Sequence, residues 1–153
     1  VPRATSALLG DAPTVAPLGV YSLEDQTGSA IAAEGKRVLV ATKGSLLELD
    51  FADPANPRKT AEISLPLWQF SNLAVSGQRV YLAGEHKELP IERTAVVEVN
   101  LRSPESQRIA DMGPAEEFGW IGQPSIVRGY LYVGKGTLLT SALRVFDISG
   151  KEP

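Results

Sequence analysis

This sequence predicts an all-β fold made of a repeated four-stranded antiparallel unit, and three observations carry that expectation. Fourteen Gly and eleven Pro are spread along the chain instead of being gathered in one linker, as happens when many short strands are separated by tight turns. Ala30–Ala41 (AIAAEGKRVLVA) lines up with Asn72–Ala83 (NLAVSGQRVYLA), and less closely with Pro124–Gly134 (PSIVRGYLYVG), and a repeat of this length defines an architecture before any single element is assigned. Each copy then continues into a third apolar run ending in Asp or Asn followed by a large apolar residue.

Taken in chain order, Asp11–Leu23 reads as a turn and then a fourth strand with no three strands of its own before it. In each repeat copy a short apolar strand reaches a turn containing Gly35, Gly77 or Gly129 and a second strand follows, which is the pattern of a hairpin. The third strands are Ser45–Phe51, Ala95–Leu101 and Ala142–Ile148. The short polar side chains of Asp50, Asn100 and Asp147 are suited to start a turn by binding nearby backbone, while Phe51, Leu101 and Ile148 anchor the strand ends. Fourth strands follow at Thr60–Leu65 and Gln107–Met112. Four antiparallel strands per unit describe a β-propeller blade. The expected organisation is therefore an N-terminal segment 1–27, blade 1 over 28–66, blade 2 over 67–113, and blade 3 over 114–153 lacking its fourth strand.

The bulk properties suit one globular domain. The chain has 153 residues, 43% of them hydrophobic and 22% charged, and at this size roughly 70% of the unfolded surface can be buried without a staple or metal. Zero cysteines exclude a disulfide framework, a thiolate metal site and a cysteine nucleophile. Fifteen basic against eighteen acidic residues give a net charge of -3, without the basic excess of a phosphate-backbone binder, so nucleic acid is not an expected partner. No apolar run reaches the eighteen or more residues of a transmembrane segment. The chain opens at Val1 without Met, which fits a removed leader or excision from a longer polypeptide.

Leu46-Leu-Glu-Leu-Asp50-Phe51-Ala52-Asp53-Pro54-Ala55-Asn56-Pro57 resembles the LVIVD-type β-propeller repeat, with the best match over Val38–Leu65. The second copy keeps only the outline in Asn100-Leu-Arg-Ser-Pro104, and the third, Asp147-Ile-Ser-Gly150, stops before a fourth strand. The resemblance covers about residues 28–153 and implies a propeller of the secreted, periplasmic or surface-attached kind, hence an extracytoplasmic interaction scaffold. Three units fall short of the four or more blades that close a ring. The expectation is a fragment of a longer propeller, two copies exchanging terminal strands, or another chain supplying the missing blades. Leu18–Leu23 would then clasp a strand of the Ser141–Ile148 kind in a second molecule.

Catalytic chemistry is sparse. His86 is the only histidine, which excludes a His-based zinc cage, and Glu85, His86 and Glu88 lack the fixed spacing of a rigid metal site. Gly84–Arg93 reads instead as a charged hairpin loop whose His86 and Arg93 are candidate recognition residues. No Gly-x-Ser-x-Gly elbow occurs, Gly134-Lys-Gly-Thr137 lacks the Walker pattern and reads as a strand-end turn, and Glu116-Glu117 reads as a solvated loop. Trp68 and Trp120 hold equivalent repeat positions ahead of first strands, and with Phe70 and Phe118 they form a candidate apolar rim for a partner or ligand, packing between blades being the alternative. The expected function is a non-catalytic propeller scaffold with no cofactor and no metal, completed by a protein partner or by self-association. The alternative is the substrate-binding part of a propeller enzyme whose catalytic residues lie mostly outside this chain, with Glu34, Arg79 and Arg128 as secondary candidates; a subunit of a surface layer or filament is a third reading.

Overall fold

The computed structural model describes residues 18, 20–23, 28–87, 92–115, 119–137 and 139–149. Strand accounts for 73% of them and no helix occurs among them. Ten strands follow one another: β1 (Gly28–Glu34), β2 (Arg37–Asp50), β3 (Arg58–Ser76), β4 (Arg79–His86), β5 (Arg93–Asn100), β6 (Ser103–Pro114), β7 (Trp120–Ile121), β8 (Ser125–Val127), β9 (Tyr130–Gly136) and β10 (Ser141–Asp147). The first six form one curled antiparallel sheet in sequence order, and β10, β9 and β7 form a second, with β8 also paired to β9.

Two of these strands are more than straight ribbons. Eleven extended residues would carry Arg37 roughly 36 Å from Glu48, yet their charged groups are 3.8 Å apart, and Phe51 N–H donates to Lys36 C=O at 2.7 Å. β2 therefore doubles back at Thr42–Ser45, where Gly44 has φ 85° and Thr42 Oγ1 donates to Ser45 C=O at 3.3 Å. β3 pairs with β2 through Arg58–Ser64 and again at Gln69, opposite Lys43, and with β4 through Trp68–Ser76. Between these stretches sit Pro66 and Leu67, the latter at φ 68°. Three separate four-stranded units are expected from the sequence; the structure has two hydrogen-bonded sheets because β3 runs on unbroken from one stretch to the next.

The same local geometry nevertheless occurs three times. Phe51 N–H to Lys36 C=O is matched by Leu101 N–H to Gln78 C=O and Ile148 N–H to Gly129 C=O, both 2.8 Å. Asp50, Asn100 and Asp147 each accept, on Oδ1, the backbone N–H two residues on, at 2.8, 3.0 and 2.9 Å. This is the Asx turn that their short side chains favour. The ladder also slips at Ser29 and at Ser71, and their hydroxyls donate to Ala41 and Ala83 C=O at 3.1 and 3.4 Å. At the matching place in the third copy Gly122 N–H donates to Gly134 C=O at 2.8 Å, and the strand is interrupted between β7 and β8.

The third hairpin departs from the sequence alignment by one residue. Glu34 pairs with Arg37 and Ser76 with Arg79 across two-residue turns that open on Gly35 (φ 64°) and Gly77 (φ 59°). Val127 pairs with Tyr130, so the turn is Arg128-Gly129 and Arg128 takes the left-handed first position at φ 51°, with Gly129 at 81°. The first two turns have positive φ only at the leading residue, as in type II′, and the third at both, as in type I′.

Three apolar clusters hold the chain together. Leu39, Ala41 and Leu46 of β2 pack with Leu73, Val80, Leu82, Val97 and Val99. The opposite side of β4–β5, through Tyr81, Ala83 and Val96, packs with Ile121, Leu131 and Val133 of the second sheet. Buried on both faces, β4 and β5 read as continuous apolar runs. The other face of the β2 hairpin, Val40, Leu47 and Leu49, is covered by Tyr21 and Leu23. Residues 20–23 are not in a strand; Val20 and Ser22 are exposed while Tyr21 and Leu23 are half-buried on β2. The rest of the expected N-terminal strand, Gly19 and residues 11–17, lies outside the described residues.

Candidate functional site

Four of the six candidate binding residues come together where β3, β4 and β5 meet. The ladder places Trp68 opposite His86 and His86 opposite Arg93, so neighbouring strands bring distant sequence positions side by side. Trp68 stacks on Phe70 with ring centroids 5.5 Å apart and planes 6° apart, and meets the His86 ring edge-on at 4.7 Å. Phe70 lies within the core and Trp68 is largely buried with it. The indole thus serves as the floor of a cavity of about 280 Å³, lined also by His86, Arg93, Ala95, Ile109 and Asp111.

Asp111 is the member that sequence reasoning missed. Arg93 grips its carboxylate with two nitrogens, Nη2 to Oδ2 and Nε to Oδ1, the second at 3.3 Å, a fork that suits a planar carboxylate. Gly113 N–H adds a bond to Oδ1 at 2.8 Å. These hold the Asp111 carboxyl below its ordinary range, Arg93 being the larger cause. Pairing the two side chains required the register of β5 on β6, including the slip between Thr94 and Ala95, which sequence alone does not supply. Beside the pocket, Lys87 bridges Glu85 and Glu92 at 2.8 and 2.9 Å, which raises the pKa of its ammonium, Glu85 first. Glu88 lies outside the described residues.

Chemically this is an aromatic-floored recess walled by an ion pair. Among the described residues no group of three or more His, Asp or Glu is placed to hold a metal ion. Arg93 is already engaged by Asp111 through Nε and Nη2, so its charge is balanced within the recess.

Trp120 is elsewhere. It is 48% exposed on β7, lying over Gly134 and Gly136 of β9, where an added Cβ would approach the indole to 3.1 and 2.8 Å. Those glycines make room for the ring. Lys135 between them donates to Met112 and Pro114 C=O at 3.1 and 2.8 Å, tying β9 to β6. Phe118 and Glu116-Glu117 lie outside the described residues, so the apolar rim is described only in part: Trp68 and Phe70 are inside and Trp120 is on the second sheet.

The secondary candidates Glu34 and Arg79 tie one hairpin to another. Glu34 accepts from Gly77 N–H at 3.1 Å while Arg37 donates to Gly77 C=O; Arg79 donates to Ile148 C=O at 3.0 Å and faces Glu98 at 3.7 Å. A further, mainly apolar recess lies on the outer face of β1 and β2, a groove of about 410 Å³ lined by residues that include Tyr21, Leu23, Val38, Val40, Leu49 and Phe51. Compared with protein-family models and with curated proteins, the chain matches none.

Proposed function

We propose that this chain is a non-catalytic β-propeller-type interaction scaffold that forms part of a larger propeller or multichain assembly. The observation that carries the reading is an asymmetry between matching positions: Leu46 and Val96 are 1% and 2% exposed, whereas Leu143, four residues before Asp147 as they are before Asp50 and Asn100, is 66% exposed. An array whose inner units bury this face and whose last unit does not is an array with an open end. The threefold Asx-turn geometry and the likeness of Leu46–Pro57 to the LVIVD-type repeat support assigning the units as blades. An extracytoplasmic location follows from that likeness alone.

Native mass spectrometry, combined with binding of a hydrophobic dye, tests the proposal. An assembly larger than one 16.3 kDa chain, or a monomer that binds the dye through Leu143 and Val145, supports it. A monomer that binds none contradicts it.

A further inference from the structure

We infer that the occupant of the open end is a second copy of this chain, docked head to tail; this rests on the scaffold reading. Both internal junctions are built alike. The Leu46 side of β2 packs on the Val80–Val97 side of β4–β5, and the Val96 side of β5 packs on the Leu131–Val133 side of β9. One kind of face therefore always meets the other kind. The structure leaves Leu143, Val145 and Tyr130 on β9–β10 exposed, and the outer face of β1–β2, where Tyr21 and Leu23 pack on Val40, Leu47 and Leu49, still carries the 410 Å³ apolar groove. They have the character of the two partners of a third such junction, which the described residues do not make with each other.

The substitutions at this end are complementary to the groove. In the internal junctions an Arg–Glu pair sits at the rim, Arg37 with Glu48 and Arg79 with Glu98. At the matching positions the third copy has Tyr130 and Val145, so charges give way to apolar groups facing an apolar recess. The edges fit as well. β10 is the terminal strand of its sheet. Each internal fourth strand leads into the following copy and buries an apolar side chain there, Leu65 in one core and Met112 in the other. Residues 20–23 stand in the same relation to β1, with Leu23 packed on β2. In the dimer Val20–Leu23 of one copy pairs with the open edge of β10 of the other, and the contact made twice closes a ring. Two copies of three units make six, within the four to eight of closed propellers.

The absence of cysteine makes the test clean. Because Arg37 reaches the Gly77 turn, the inference places Tyr130 beside the matching Gly35-Lys36 turn of the second copy. The double variant Tyr130→Cys/Lys36→Cys, treated with a short bismaleimide, is expected to give a covalently linked dimer, while each single variant mixed with wild type gives none. Leu143→Lys/Val145→Lys is expected to weaken dimerisation at least about tenfold, whereas Leu67→Lys, a comparably exposed apolar site in β3, leaves it unchanged. All these sites lie on the surface, so circular dichroism should match wild type. A chain that stays monomeric, or a dimer that does not cross-link through 36 and 130, overturns the inference. Dye binding by such a monomer at Leu143 and Val145 would leave the scaffold reading standing.

Discussion

The β4–β5 and β9–β10 hairpins share a local design and differ in their surroundings. Both end in an Asx turn and a backbone bond that returns the chain to its opening turn. Yet five of the eight residues of β5 are buried, whereas the first five of β10, Ser141 to Val145, are all exposed. Local sequence sets the turn; the neighbour sets the burial. The two hairpins therefore have equal claims to be strands and unequal shares in the stability of the isolated chain.

The largest effect separates them directly. Leu82→Ala, at a fully buried position of β4, is expected to cost about 2–5 kcal/mol in denaturant unfolding. Leu143→Ala on β10 should cost less than about 1 kcal/mol in the single chain. Equal costs would mean that β10 is already covered.

The turns sharpen the comparison at a smaller scale. Gly77→Ala puts a side chain at φ 59° and should cost about 1 kcal/mol. Arg128→Asn relieves a long side chain of the left-handed conformation and creates the favoured pairing with Gly129, so a gain of up to about 1 kcal/mol is expected. Thermal unfolding of the two variants should move in opposite directions.

How far the sequence could be read follows from the same distinction. Asp50, Asn100 and Asp147 were legible as turn residues because an Asx turn is made within three residues. The strands were legible because their apolar runs are local too. The third turn lies one residue earlier than its glycine marks in the sequence, because Arg128 stands where Gly35 and Gly77 do. The run-on of β3 past Pro66 depends on tertiary pairing. So does Asp111: nothing near it in sequence points to Arg93, and only the slipped register of β5 on β6 joins them. Trp68 and Trp120 looked equivalent by spacing, but their partners differ, Phe70 and His86 for one and the β9 glycines for the other.

The smallest effect concerns that ion pair. Because its folded pKa is lowered, Asp111 contributes stability that is present above the unfolded value near 3.9 and lost as pH falls through the folded one. Both side chains are about half exposed, so solvent screening keeps the contribution to about 0.5 kcal/mol or less. Arg93→Met should return the Asp111 titration upward and flatten this part of the acid limb, as carbon-detected NMR would show. An unchanged titration would mean that the fork is not formed in solution.

Amide hydrogen exchange of β10 tests the central claim most directly. Ile148 N–H points to β9, and the unbroken register of β10 on β9 then turns the amides of Leu143, Val145 and Asp147 to the open edge. Closure by a second copy predicts that these three are protected, and that protection falls on dilution while Leu82 and Val97 stay protected. Rapid exchange at all three, unchanged with concentration, would contradict it.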